Sequence, residues 1–248
     1  MIYCKTKEEI KVMRKGGQIL AETLRELIEA IAPGVSELAL DKLAQELILK
    51  KGGEPGFKKV QGYNHTICVS TNDVVVHGIP TEYRLREGDV VGIDCGVYYR
   101  GFHTDMAETV EVRSEIHKFL ETGKKALEEG IKMARAGNRI GHISKAIGDI
   151  VEKEGGYSIV RTLVGHGVGK NLHEEPEVPG LLRGNIERTP KLVSGMTIAV
   201  EVIYNQGRHE VVFKNNDGWT IATKDGSLSG LFERTIAITD GNPIVLTN

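Results

Sequence analysis

The chain reads as an α+β protein of two similar halves with mainly antiparallel strands. Three observations predict this. Two stretches with helical spacing of apolar residues precede a run of short strand-like segments, and that order occurs twice. The helix stops recur at a fixed interval: Gly34, Gly52 and Gly53 return 103 residues later as Gly137, Gly155 and Gly156. The connections between strand segments are of hairpin length, which favours antiparallel pairing. No long linker or low-complexity tract divides the 248 residues, so a single domain is expected, with halves of roughly 1–112 and 113–248.

The first helix opens at Thr6, whose partner Glu9 three residues on completes a capping box. Ile10, Met13, Gly17, Leu20, Leu24, Leu27 and Ile31 then recur at three- and four-residue steps until Pro33-Gly34 ends the helix. Ser36 caps a second helix carrying Leu43, Leu47 and Ile48. In the second half Ser114 opens a helix with Ile116, Leu120, Leu127 and Ile131, and another follows with Ile140, Ile143, Ile147 and Val151. The strand candidates are 66–70, 74–77, 89–98 and 102–112 in the first half. In the second they are 158–164, 196–204, 210–213, 218–223 and 233–239.

Residues 90–105 read as a hairpin. A turn centred on Tyr99-Arg100 places Asp94 directly opposite Asp105. Opposed residues have Cβ atoms about 4.5–5.5 Å apart, where like charges repel, so a shared proton or a bound cation is expected. Side chains alternate along a strand. Val91, Ile93, Cys95 and Val97 therefore form a core face, and Asp94 shares the other face with Gly92 and Gly96. Glu201 lies on a strand face with Thr197 and Ala199, and Glu233 on one with Thr235 and Ala237. Asp105 is flanked by His103 and Ala107. Acids are depleted in strand interiors, so four such cases point to a site rather than to a solvated face. His166 sits among three alternating glycines, Gly165, Gly167 and Gly169, and His77 ends a strand. Four carboxylates with an imidazole suit a pair of divalent cations, and the donor set accommodates Co, Mn, Fe or Zn.

Composition removes other classes. A net charge of −2 gives no electrostatic case for nucleic acid or an anionic membrane. No apolar run approaches the ~20 residues of a membrane span. Residues 1–5 lack the apolar core of a signal peptide, so a cytoplasmic protein is expected. Cys4, Cys68 and Cys95 have neither disulfide nor zinc-site spacing.

These pieces together resemble a type I methionine aminopeptidase, of peptidase family M24 and the pita-bread fold. The matching segments are residues 5–14, Pro33-Gly34-Val35-Ser36, His77-Gly78-Ile79-Pro80, Ile93-Asp94, and Gly101-Phe102-His103-Thr104-Asp105. Further along they are Gly165-His166-Gly167-Val168-Gly169, His173-Glu174-Glu175-Pro176, residues 224–229 and Glu233. The resemblance implies a pseudo-twofold domain with a curved sheet and outer helices. It implies an exopeptidase that removes N-terminal methionine from nascent proteins and peptides when the second residue is small, by dinuclear-metal-activated attack of water on the first peptide bond. Asp94, Asp105, His166, Glu201 and Glu233 match the metal ligands, with Asp105 and Glu233 bridging. His77 and His173 match the catalytic, substrate-contacting histidines, and Glu201 also matches the general base. Tyr63, Cys68, Trp219, Phe57 and Leu172 match positions lining the methionine pocket. A monomer is implied, with ribosome contact as one route to nascent chains.

Three residues depart from the family pattern: Val202 where proline is usual, Arg234 where histidine is usual, and Leu172 where an aromatic is common. A change beside a ligand can alter metal affinity or activity by about 10–100-fold. The nearest rival is an Xaa-Pro peptidase of the same fold, whose members usually carry an additional N-terminal domain. A non-catalytic relative would be expected to have lost ligands.

Overall fold

The computed structural model describes residues 2–113 and 118–248. The first half comprises α1 (Lys7–Ala30), α2 (Glu37–Lys50) and strands β1 (Glu54–Pro55), β2 (Ile67–Thr71), β3 (Val74–Val76), β4 (Val90–Tyr99) and β5 (Phe102–Glu111). The second comprises α3 (Lys118–Met133), α4 (Ile140–Gly148), β6 (Ser158–Ile159), β7 (Gly165–Gly167), β8 (Glu174–Val178), β9 (Thr197–Asn205), β10 (Val211–Phe213), β11 (Ile221–Thr223), β12 (Ser229–Ala237) and β13 (Ile244–Val245). Thr6 and Glu9 form the expected capping box, and Ser36 caps α2 by accepting from Ala39 N. After α4 the chain continues as a π-helical segment, Asp149–Glu154, before Gly155 and Gly156. Ser114 and Ile116 lie outside the described residues.

The main sheet runs β1-β4-β5-β12-β9-β7-β8, with β2 added to β4 and β6 to β9, and its pairs are antiparallel. The two halves meet where β5 pairs β12. One face of this sheet is core throughout. Val91, Ile93, Cys95 and Val97 pack under α1 and α2 with Leu20, Leu24 and Ile48. Ile198, Val200, Val202, Phe232 and Ile236 pack under α3 and α4 with Leu120, Leu127 and Ile143. The helices thus seal one face, and alternation sends the acids to the other. A smaller sheet, β10-β11-β3, lies over that second face and brings in the segments carrying His77 and Trp219.

The β4–β5 hairpin turns one position later than the sequence reading placed it. Tyr99 pairs Phe102, so Arg100 and Gly101 are the central residues, with φ of 46° and 93°. A two-residue turn that matches strand twist needs positive φ at both positions, and glycine at the second supplies it cheaply. The register therefore pairs Asp94 with Ala107 and Asp105 with Gly96. The two aspartates remain on one face as diagonal neighbours rather than opposed partners.

Candidate active site

The register creates a transverse row of side chains. Cys68 pairs Asp94, Asp94 pairs Ala107, Ala107 pairs Glu233 and Glu233 pairs Glu201, crossing β2, β4, β5, β12 and β9. The directly opposed acids are thus Glu201 and Glu233, and Ala107, fully buried, leaves room between Asp94 and Glu233. Asp105 stands two residues from Ala107 on the same face. His166 enters from β7. Its Nε2 lies 3.6 Å from Glu201 Oε1 and 3.9 Å from Asp105 Oδ2. Its Nδ1 is 2.8 Å from the Gly167 carbonyl, which can only accept, so Nδ1 carries the proton and Nε2 presents a lone pair to the acids.

This cluster is electrostatically unsatisfied by protein alone. Asp105 and Glu233 are 4% and 2% exposed. Burial pushes the Asp94 carboxyl up to about 7. It raises Asp105, helped by Asp94 and Glu201, and raises Glu201, helped by Asp94. Glu233 rises for the same reason, with Asp105 and Glu201 adding to burial. Asp94 and Asp105 share a hydrogen bond, yet Asp94 Oδ1 and Glu233 Oε1 are buried without a partner. Ligand atoms of Asp105, His166 and Glu233 all lie within 4.8 Å of one another. Buried carboxylate oxygens without donors, converging with a neutral imidazole nitrogen, fit divalent cations.

The twelve residues singled out in the sequence for ligation, catalysis and substrate contact all line one cavity of about 540 Å³. One end is apolar: Phe57, Tyr63, Cys68 and Leu172 form a cluster against which Val60, Ile79 and Trp219 pack. Tyr63 meets Trp219 edge-on at 5.1 Å, and its hydroxyl donates to the Ile67 carbonyl at 2.8 Å. The Phe57 ring occupies the space over Gly96, where an added Cβ would lie 2.7 Å from the ring. The gap beside Asp94 therefore holds a pocket wall. Sequence reasoning did not find Val76, Leu163, Ile203 and Leu231, a second apolar cluster that lines the cavity, or Glu174, Glu175 and Glu177. Aliphatic wall residues carry no chemical signal that separates them from core.

His77 takes a left-handed backbone, φ 56°, a strain of about 1–3 kcal/mol for a non-glycine residue. The strand pairing on either side holds it there: Gly78 O accepts from Val69 N at 2.9 Å. His173 meets His166 edge-on at 4.3 Å. Burial lowers the pKa of His77 and His173 and brings His166 down to about 4, with His173 adding to the effect on the other two. All three are neutral at pH 7, so each can donate one N–H.

Two of the departures point away from the cavity. Val202 is fully buried in the core under α3. Arg234 donates to the carbonyls of Ala107 at 3.0 Å and Glu233 at 2.7 Å, and pairs Glu108 at 2.7 Å. It thereby staples β12 to β5 where the halves join. Arg234→Ala is expected to lower stability by about 1–3 kcal/mol in chemical denaturation. A change within 0.3 kcal/mol would show the staple to be idle. Leu172, by contrast, lies in the cavity wall itself.

Comparison with known proteins adds four likenesses. The family described as "Metallopeptidase family M24" matches residues 11–240. The chain is 43% identical over 250 residues to "Methionine aminopeptidase" of Clostridium perfringens, spanning 100% of this chain and 99% of that one. It superposes on the crystal structure of methionine aminopeptidase from Thermotoga maritima with a TM-score of 0.95 and 38% identity, covering both chains completely. Prolidase from Pyrococcus furiosus gives a TM-score of 0.78 at 23% identity over 99% of this chain and 65% of that one, a likeness of the pita-bread fold alone.

Proposed function

The chain belongs to metallopeptidase family M24, as an exopeptidase that removes N-terminal methionine, and we propose that it acts ahead of a small second residue with a pair of divalent cations. One observation carries this reading: a single cavity joins an apolar, aromatic-edged end to a row of buried acids with a neutral imidazole. The aromatic edges of Tyr63 and Trp219 and the Cys68 sulfur suit a flexible thioether side chain. Val76, Leu163, Ile203 and Leu231, a separate aliphatic cluster in the lining, would restrict the room left for the second residue. The whole chain, from both halves, would serve as one catalytic domain, acting in the cytoplasm. Among the described residues no helix is long and apolar enough to cross a membrane.

Asp94, Asp105, His166, Glu201 and Glu233 would hold the cations. When bound, these would lower the pKa of a water molecule and polarise the scissile carbonyl. Glu201 takes the proton of the attacking water on a carboxylate oxygen and returns it to the leaving amine. His77 and His173, neutral through burial, donate N–H to the developing oxyanion or orient the scissile amide. The apolar end fixes the methionine side chain, so only the first peptide bond reaches the acids.

Turnover of Met-Ala-Ser and Met-Leu-Ser peptides with Mn, Fe, Co and Zn tests the proposal. Met-Ala-Ser should be cleaved at least tenfold faster with at least one metal. Equal rates would overturn the small-residue preference. Faster cleavage of an Xaa-Pro peptide would overturn the substrate assignment. A titration showing no bound divalent ion would overturn the metal-dependent mechanism.

A further inference from the structure

Resting on the reading that the cavity cleaves N-terminal methionine, we propose that Lys5 is a positioning residue. It anchors the loop bearing Leu172 and His173 through a buried ion pair with Glu174. Lys5 lies ahead of α1, 169 positions from its partner, yet its Nζ is 2.6 Å from Glu174 Oε2. The two side chains are 2% and 13% exposed. The other carboxylate oxygen, Oε1, accepts from Asn171 N at 3.0 Å. One carboxylate thus ties the loop's own backbone to a cation from the N-terminal segment.

Other contacts fix the same two segments. Lys5 N donates to Gly195 O at 2.7 Å, and Gly169 O accepts from His103 N at 2.7 Å. The space at Gly169 is taken by Lys5, since an added Cβ would come within 2.6 Å of Nζ. One residue further, the Lys170 ammonium lies 4.7 Å from the centre of the Tyr3 ring, and the Tyr3 hydroxyl donates to Glu9 in α1. Residues 3–5 therefore grip the loop 169–174 by ring, ammonium and packing.

That loop carries two parts of the site and no carboxylate of the acid row. Leu172 closes the apolar end, and His173 stands against His166. Removing one partner of a buried ion pair strands the other charge. Glu174, at 13% exposure, can relieve this by turning to solvent, which releases Asn171 N and lets the loop shift. A misplacement near 1 Å costs up to about 100-fold in rate.

The test uses metal-loaded wild type, Lys5→Met and Lys5→Arg. Lys5→Met should lower kcat on Met-Ala-Ser by about ten- to a hundredfold. It should also flatten the preference for methionine over leucine at the first position. Hydrogen exchange should quicken at residues 169–174 and stay unchanged across residues 7–30. Lys5→Arg should retain the protection and most of kcat. An unchanged kcat and methionine preference per folded molecule, whatever the Tm, would overturn the proposal. So would exchange that quickens equally through α1. If wild type cleaves no Met-Ala peptide, the functional reading falls, while the exchange comparison still decides the anchor.

Discussion

Glu201→Gln is expected to lower kcat on a Met-Ala peptide by about 10²–10⁴-fold and to leave the fold in place. Glutamine keeps the shape of the side chain and one oxygen for a cation, but it cannot take a proton from water and return it to an amine. The fold survives because Glu201 contributes no packing to the core: its strand is held by Ile198, Val200 and Val202 on the opposite face and by an unbroken ladder to β12. Glu201 directly opposes Glu233, so losing one charge also relieves repulsion in the metal-free protein. Steady-state kinetics, metal content and a thermal melt on the same preparation separate these effects. A variant that binds metal and keeps more than a tenth of wild-type turnover would remove Glu201 from proton transfer.

The parts of the fold legible in the sequence were those written in local chemistry. Thr6, Glu9 and Ser36 announce helix starts because their side chains meet orphan backbone N–H groups, and the structure places the caps there. The acids were legible because a charge inside a strand conflicts with strand propensity. The register was not. It turned on Gly101 supplying the second positive φ, and a turn shifted by one position changes every partner while keeping every face. The opposed acid pair consequently proved to be Glu201–Glu233, from strands distant in sequence. β7 and β8 were invisible as strands, since Gly165-His166-Gly167 and Glu174-Glu175-Pro176 have poor strand propensity and are held in the sheet by their neighbours. The Lys5–Glu174 pair had no signal at all, because nothing local links a residue before the first helix to a loop late in the second half.

Removing the metals is expected to invert the pH response of stability between about pH 6.5 and 8. Without cations, burial holds Asp94 at about 7 and the other three carboxyls well above their ordinary range. The unfolded chain titrates these groups near 4. In this window the folded state therefore carries more protons than the unfolded state, and stability falls as pH rises. Asp94 alone, lifted from 3.8 to about 7, lowers stability by roughly 4 kcal/mol over the whole rise from about pH 3 to 8, of which roughly 1 kcal/mol falls above pH 6.5. His166, lowered to about 4, acts in the opposite sense, but only below its unfolded value near 6.5. Histidine and carboxylate effects thus oppose each other from pH 4 to 6.5, and the carboxylates act alone above that. The chelated protein should lose Tm steadily from pH 6.5 to 8. The metal-loaded protein should hold or gain Tm, since deprotonated carboxylates and a neutral imidazole are what bind the cations. Amide exchange at residues 92–107, the hairpin bearing Asp94 and Asp105, should quicken on chelation, more at pH 8 than at pH 6.5. Parallel Tm profiles with and without metal, or exchange in that hairpin indifferent to chelation, would mean that the acid row is not where the cations are held.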